Sequence, residues 1–186
     1  VLSLDVTKET GRLAQFADAR KRAAAAREER RKNAAQQTVT VEASPREIAL
    51  AQKLLQIEDI IKTKDYEKAE TELAALIEQY PGDPRVYYAR GRVASLAAET
   101  AFDETLRDKR LGQAAENYGN AIQNSSDKTD KVLVLRAHVA LGRILEFNEQ
   151  MQEALREYEA AIKIGEVDKQ AFQEAVAGKA RLEKKP

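Results

Sequence analysis

The chain has no cysteine and no tryptophan, and only one histidine and one methionine among its 186 residues. Without cysteine there can be no disulfide, no zinc–thiolate site and no thiol nucleophile. Net charge is missing as well, since 31 Lys and Arg balance 31 Asp and Glu. That balance argues against nucleic acid or a membrane surface as the partner of the whole chain. No apolar run approaches the roughly 18 residues needed to span a bilayer. The opening residues, VLSLDVTKET, lack the basic start and apolar core of a signal peptide. They also lack an initiator methionine, the single one being Met151. The expectation is a mature or excised C-terminal piece of a longer, bacterial protein, cytoplasmic or, had a signal been removed, periplasmic.

Catalytic and cofactor signatures are missing too. There is no GxxxxGK phosphate loop, no GxGxxG, no HExxH and no DxDxDG calcium loop. The lone histidine, His138, reads as a half-buried core residue rather than a base or ligand. Carboxylates sit among Lys and Arg at helical spacing, as in KDYEKAETE, and read as solvated faces. The chain therefore reads as a non-catalytic module with no cofactor, no metal and no small-molecule substrate.

What is present is helix-forming sequence in two parts. Residues 1–45 hold nine basic and six acidic side chains and form an N-terminal extension. VLSLDVT alternates like a short strand, residues 8–37 make an Ala/Arg-rich helix with only Leu13 and Phe16 as large apolar anchors, and 38–45 is a linker. Ser44-Pro45 with Glu47 marks a helix start. Residues 46–186 then carry helical periodicity throughout, broken by a Pro-Gly-Asp-Pro stop at 81–84 and a polar loop, NSSDKTD, at 124–130. Helices are expected over 46–63, within 64–84, from Arg85, over 111–123, 131–147 and 151–164, and in the DKQAFQEAVAGKARLEKK segment.

The segments YEKAETELAALIEQYP, LGQAAENYGNAIQN and MQEALREYEAAIKI superimpose. They align on Ala69, Ala114 and Ala154, then on Leu73, Tyr118 and Tyr158, then on Leu76, Ala121 and Ala161. Gly91 and Gly142 occupy equivalent places before them, with Ile57 standing there in the first unit. This pattern resembles the tetratricopeptide repeat, a helix–turn–helix unit of about 34 residues with small residues where its helices cross. The resemblance covers roughly 47–166. It implies an all-α fold in which antiparallel helix pairs stack as a three-unit, right-handed solenoid. The units are about 50–83, 84–126 and 135–167, with a solvating C-terminal capping helix at 168–183.

One departure stands out. Gly142 precedes Ala154 by twelve residues but Gly91 precedes Ala114 by twenty-three, so the middle unit holds eleven more. Two readings stay open: both helices lengthen by about one and a half turns, or a hairpin projects toward a partner. Asp103 and Arg107, four apart, are expected to support such a helix.

The resemblance also implies a concave surface lined by the first helix of each unit, a common peptide-binding face in the family. The second unit would present Arg85, Tyr88 and Arg92 there, with Ser95. The third would present Arg136, Val139 and Arg143, with Glu146. Arginine forks pair bidentately with carboxylates, so the expected partner is a protein or peptide, acidic in character, with Tyr88 as an aromatic anchor. The Lys and Asn clamp by which some family members take acidic chaperone C-termini is absent, its places being filled by Leu54, Glu58 and Ala89. An apolar face on the first unit (Ala51, Leu54, Leu55, Ile61) is a candidate surface for a second copy, as is the N-terminal helix.

Two other readings compete: an accessory C-terminal domain of a larger enzyme, and nucleic-acid binding through RKRAAAAREERRK (20–32). That cluster has seven basic residues but no aromatic for stacking, and Glu28 and Glu29 interrupt it. The chain is accordingly expected to pass through heparin unretained at physiological salt. Salt-sensitive retention that vanishes on deleting 1–37 would reverse that reading.

Overall fold

A computed structural model describes residues 44–184 of the chain. The chain divides into two units between Pro45 and Arg46, and the helices below belong to the second. The strand-like start, the Ala/Arg-rich helix and the basic cluster expected within 1–43 lie outside the described residues.

Seven helices follow one another, and no strand occurs among the described residues. They are α1 (Pro45–Lys62), α2 (Tyr66–Gln79), α3 (Pro84–Glu99), α4 (Glu104–Gln123), α5 (Lys131–Phe147), α6 (Met151–Ile164) and α7 (Lys169–Glu183). The all-α class is thus shown. Aspartate starts five of them: Asp65, Asp83, Asp103, Asp130 and Asp168 each accept a hydrogen bond from a first-turn backbone N–H. Pro45 and Pro84 occupy first-turn positions, where the missing N–H costs nothing. Short connections force neighbouring helices to run antiparallel. The α1–α2 and α5–α6 turns also share a left-handed residue, Lys64 and Glu149, both at φ 61°.

Three apolar clusters run through these helices. Leu50, Ile57 and Ile61 of α1 pack with Ala69, Leu73 and Leu76 of α2 and Val86 and Val93 of α3. Ala94, Ala114, Tyr118, Ala137 and Ile144 join α3, α4 and α5. Leu135, Val139, Ala154, Tyr158, Ala161, Ala175 and Leu182 join α5, α6 and α7. Consecutive helices pack throughout α2–α7, and α5 additionally touches both α3 and α7.

The superimposed residues are the centre of this packing: all nine are buried. The glycines make room for rings. A Cβ on Gly91 would stand 2.9 Å from Tyr118, and one on Gly142 would stand 2.8 Å from Tyr158. In the first unit Ile57 and Leu73 share the same cluster, a larger and a smaller residue replacing glycine and tyrosine. A further glycine, Gly178 in α7, meets the other edge of Tyr158, and a Cβ there would stand only 2.5 Å from the ring. The C-terminal helix therefore packs on Tyr158 through a glycine, as α5 does from the other side.

Four expectations need correction. α4 begins at Glu104, seven residues before the expected 111. The eleven extra residues are not shared equally: three lengthen the end of α3, one lies in the turn and seven lengthen the start of α4. Asp103 is outside the helix, capping it through Leu106 N at 2.7 Å, while Arg107 pairs with Glu104 at 2.9 Å. On α1, Ile61 turns into the core and Leu54 is half-buried, which leaves Ala51 and Leu55 of that face at the surface.

The glycine–ring contacts predict opposite outcomes for one substitution type. Gly142→Ala and Gly178→Ala should each cost about 1–3 kcal/mol by overpacking against Tyr158. Gly112→Ala, with nothing within 4 Å of the added carbon, should gain about 0.5–1 kcal/mol from helix propensity. Urea melts of the three variants check this.

Candidate functional site

The arginines expected on the inner helices arrive together, with one exception. Tyr88 and Arg92 of α3 and Arg136, Val139 and Arg143 of α5 line one open hollow of about 490 Å3. They fall on one face because they recur at three- and four-residue spacing, the period of a helix. Val139 is buried and forms floor. Arg85 is elsewhere. It folds onto its own helix cap, Asp83, with Nε and Nη2 at 3.0 and 2.7 Å, and borders a separate hollow beside Arg46 and Tyr80.

Two tyrosines meet at the floor. The Tyr88 and Tyr118 rings lie 5.7 Å apart at 57°. Burial pushes the Tyr118 hydroxyl up to about 12, against a weak hydrogen bond from Ser95. Burial also raises Tyr88, opposed by the nearby Arg92 and Arg136. Both phenols therefore stay protonated at neutral pH and can donate.

Matching of repeat positions reaches Glu58 without its pairing and misses the other two carboxylates that face the arginines. Glu58 of α1 pairs with Arg92, Asp168 at the start of α7 takes Arg136 Nε at 2.7 Å, and Glu174 of α7 stands 3.3 Å from Arg143. All three acids line the same hollow. The hollow is thus electrically ordered, with arginines and phenols at its centre on α3 and α5 and acids on α1 and α7 at its sides. A guanidinium carries five N–H donors, and Arg136 and Arg143 remain 52% and 60% exposed, so donors are left over after pairing.

The pattern extends around the array. Arg90 meets Glu70, Lys179 meets Glu159, Arg181 grips Glu146 through Nε and Nη2, and His138 Nδ1 lies 2.7 Å from Glu157. The histidine is half-buried between α5 and α6, as expected for a core position. A signal for these pairs exists in the sequence: partners stand 19–20 residues apart on consecutive helices, or 31–35 apart on helices next but one in sequence. Ser95 and Glu146 line a second, larger hollow beside the first.

No cluster of three or more His, Asp or Glu suited to a metal occurs among the described residues, and no described helix is long and apolar enough to cross a membrane. Compared with protein-family models, with curated proteins and with solved structures, the chain matches none.

Asp168 supplies a pH test. A hydrogen bond from Ala171 N–H, then Arg136, holds its carboxyl below the usual value. The folded chain therefore binds this proton more weakly than the unfolded chain. The resulting stability is present above about pH 4 and fades as pH falls through the lowered value. Asp168→Asn keeps a helix cap but has no charge to lose. Its melting temperature should vary less than wild type between about pH 4 and pH 2, followed by circular dichroism.

Proposed function

We propose that the second unit is a tetratricopeptide-like array of three helix pairs, closed by α7, that acts as a non-catalytic binding or scaffold module. Its ligand is an extended, acidic segment of a partner protein, laid across α3 and α5. The observation that carries this reading is the convergence of Arg92, Arg136 and Arg143 on a floor holding two protonated phenols. A carboxylate arriving there meets several unused N–H donors and a tyrosine hydroxyl. Charge-assisted hydrogen bonds of this kind exceed neutral ones by roughly twofold.

The reading also explains why the groove acids sit at the sides. Glu58 and Glu174 hold the arginine planes in place before a ligand arrives, which lowers the ordering cost of binding. They compete with it too. An acidic segment must share each arginine with its internal partner, so affinity reflects a difference between two ion pairs.

The test is fluorescence anisotropy with labelled decapeptides of Glu, Gly and Ser against counterparts carrying Gln for Glu. The Glu peptide should bind more tightly, in a salt-sensitive way. Arg143→Glu should weaken it by about tenfold or more, matching loss of a charged hydrogen bond of about 1.5–3 kcal/mol. Glu58→Gln should tighten it severalfold by releasing Arg92. Equal binding of Glu and Gln peptides would overturn the reading.

A further inference from the structure

The eleven extra residues of the middle unit help to build a second hollow. It measures about 650 Å3 and shares Tyr118, Ala140 and Arg143 with the arginine groove. One wall is made by Ala98 and Glu99, in the lengthened end of α3. Another is made by Arg107, in the added turns of α4, and by Leu111 just after them. Ile144 and Phe147 of α5 complete the apolar part, and the C-terminal helix closes it through Arg181. Without the added turns, α4 would start at Leu111 and the part of this wall that Arg107 supplies would be missing.

The chemistry of the hollow is mixed in a particular way. Ala98 and Ile144 are buried and Leu111 is half-buried, so the floor is apolar. Phe147 at the rim is 57% exposed, so its ring is available beside the apolar floor. Arg107 lies 5.7 Å over that ring. Its Nε is the one buried side-chain nitrogen or oxygen among the described residues that lacks a hydrogen bond, Asp108 Oδ1 standing 3.5 Å off. Three arginines line the hollow against two glutamates, one positive charge in excess, and each arginine also has a carboxylate beside it: Glu104 for Arg107, Glu174 for Arg143 and Glu146 for Arg181. The rim is cationic in balance and the floor is greasy.

Resting on the acidic-segment reading above, we propose that this hollow takes a bulky apolar side chain, aromatic for preference, from the same partner segment. That side chain sits within a few residues of the carboxylate held by Arg143. Charge complementarity selects the occupant: an apolar anchor flanked by acid meets the floor and the arginine rim together, whereas a basic amphipathic segment would meet Arg107, Arg143 and Arg181. Because Arg143 borders both hollows, the two contacts are reached by one short stretch of chain. The array would then read an acidic–aromatic pattern, with the extended helices of the middle unit supplying the aromatic half.

The test is selection of a random decapeptide phage library on the full chain, with Phe147→Ala, Leu111→Gln and Arg92→Glu variants, each confirmed as folded by its melting curve. Wild type should enrich peptides with Asp or Glu within about four residues of Phe, Tyr or Trp. An enriched peptide should bind about tenfold or more above its aromatic-to-Ala counterpart. Phe147→Ala and Leu111→Gln should lose the aromatic preference and keep the acidic one. Enrichment of acid without an aromatic overturns the pocket and leaves the groove. Aromatic enrichment without acid, indifferent to Arg92→Glu, overturns the groove reading and with it the paired pattern. Should a pocket variant fail to fold, the wild-type selection alone decides.

Discussion

The seating of tyrosine rings on glycine sets the distances on which the remaining structure depends. Tyr158 is wholly buried with one ring edge against Gly142 and the other against Gly178. One side chain of α6 therefore fixes the spacing of α5 and α7 on either side of it. Its hydroxyl leaves the core to meet Glu146 at 2.9 Å, and Glu146 is held in turn by Arg181. Burial and that carboxylate both raise the phenol's pKa, so it remains a donor. The same position in the preceding unit has a different outcome. Tyr118 rests on Gly91 as Tyr158 rests on Gly142, but its hydroxyl end reaches the floor shared by both hollows. Tyr118 is itself buried, and its hydroxyl accepts from Ser95 at 3.4 Å.

Two kinds of interaction hold the helices, and their sizes assign them different tasks. A buried ring or leucine contributes about 1.5–3 kcal/mol, and the three clusters contain many. An exposed ion pair contributes about 0–1 kcal/mol, and Arg136–Asp168 and Arg143–Glu174 are of this exposed kind. Packing keeps the array folded. The charge pairs orient guanidinium planes and match helix to helix. That is why their energetic weakness is compatible with a binding role: a weak internal pair is one that a ligand can share or replace.

The parts of this structure that repeat are legible in the sequence, and those that do not repeat are concealed. The bounds of α5 and α6 are readable to the residue, because the apolar period is clear in both, a capping aspartate starts α5 and Gly165 ends α6. The start of α4 is hidden because its added turns, ETLRDKR, hold one large apolar residue and present no amphipathic stripe. Matching the units finds the inner arginines and the place of Glu58 but not the pairing, and it misses Asp168 and Glu174, which come from a helix read only as a cover. Register alone groups Arg85 with the others. Nothing in register shows that an aspartate two residues earlier captures it. Gly178 escapes notice for a related reason: a helix read as a cover is not expected to carry the small residue of a repeat.

Where the extra residues fall matters more than how many there are. The observed division adds only three residues to α3 and seven to α4. Both lengthened ends border the same hollow, α3 through Ala98 and Glu99 and α4 through Arg107. Their neighbour is the end of α5, where Arg107 finds Phe147. The two lengthened ends turn a longer unit into a wall, and Phe102 is left at the bare tip of the turn, fully exposed. The longer connection between α3 and α4 thus places a further surface directly beside the arginines, with Arg143 bordering both hollows.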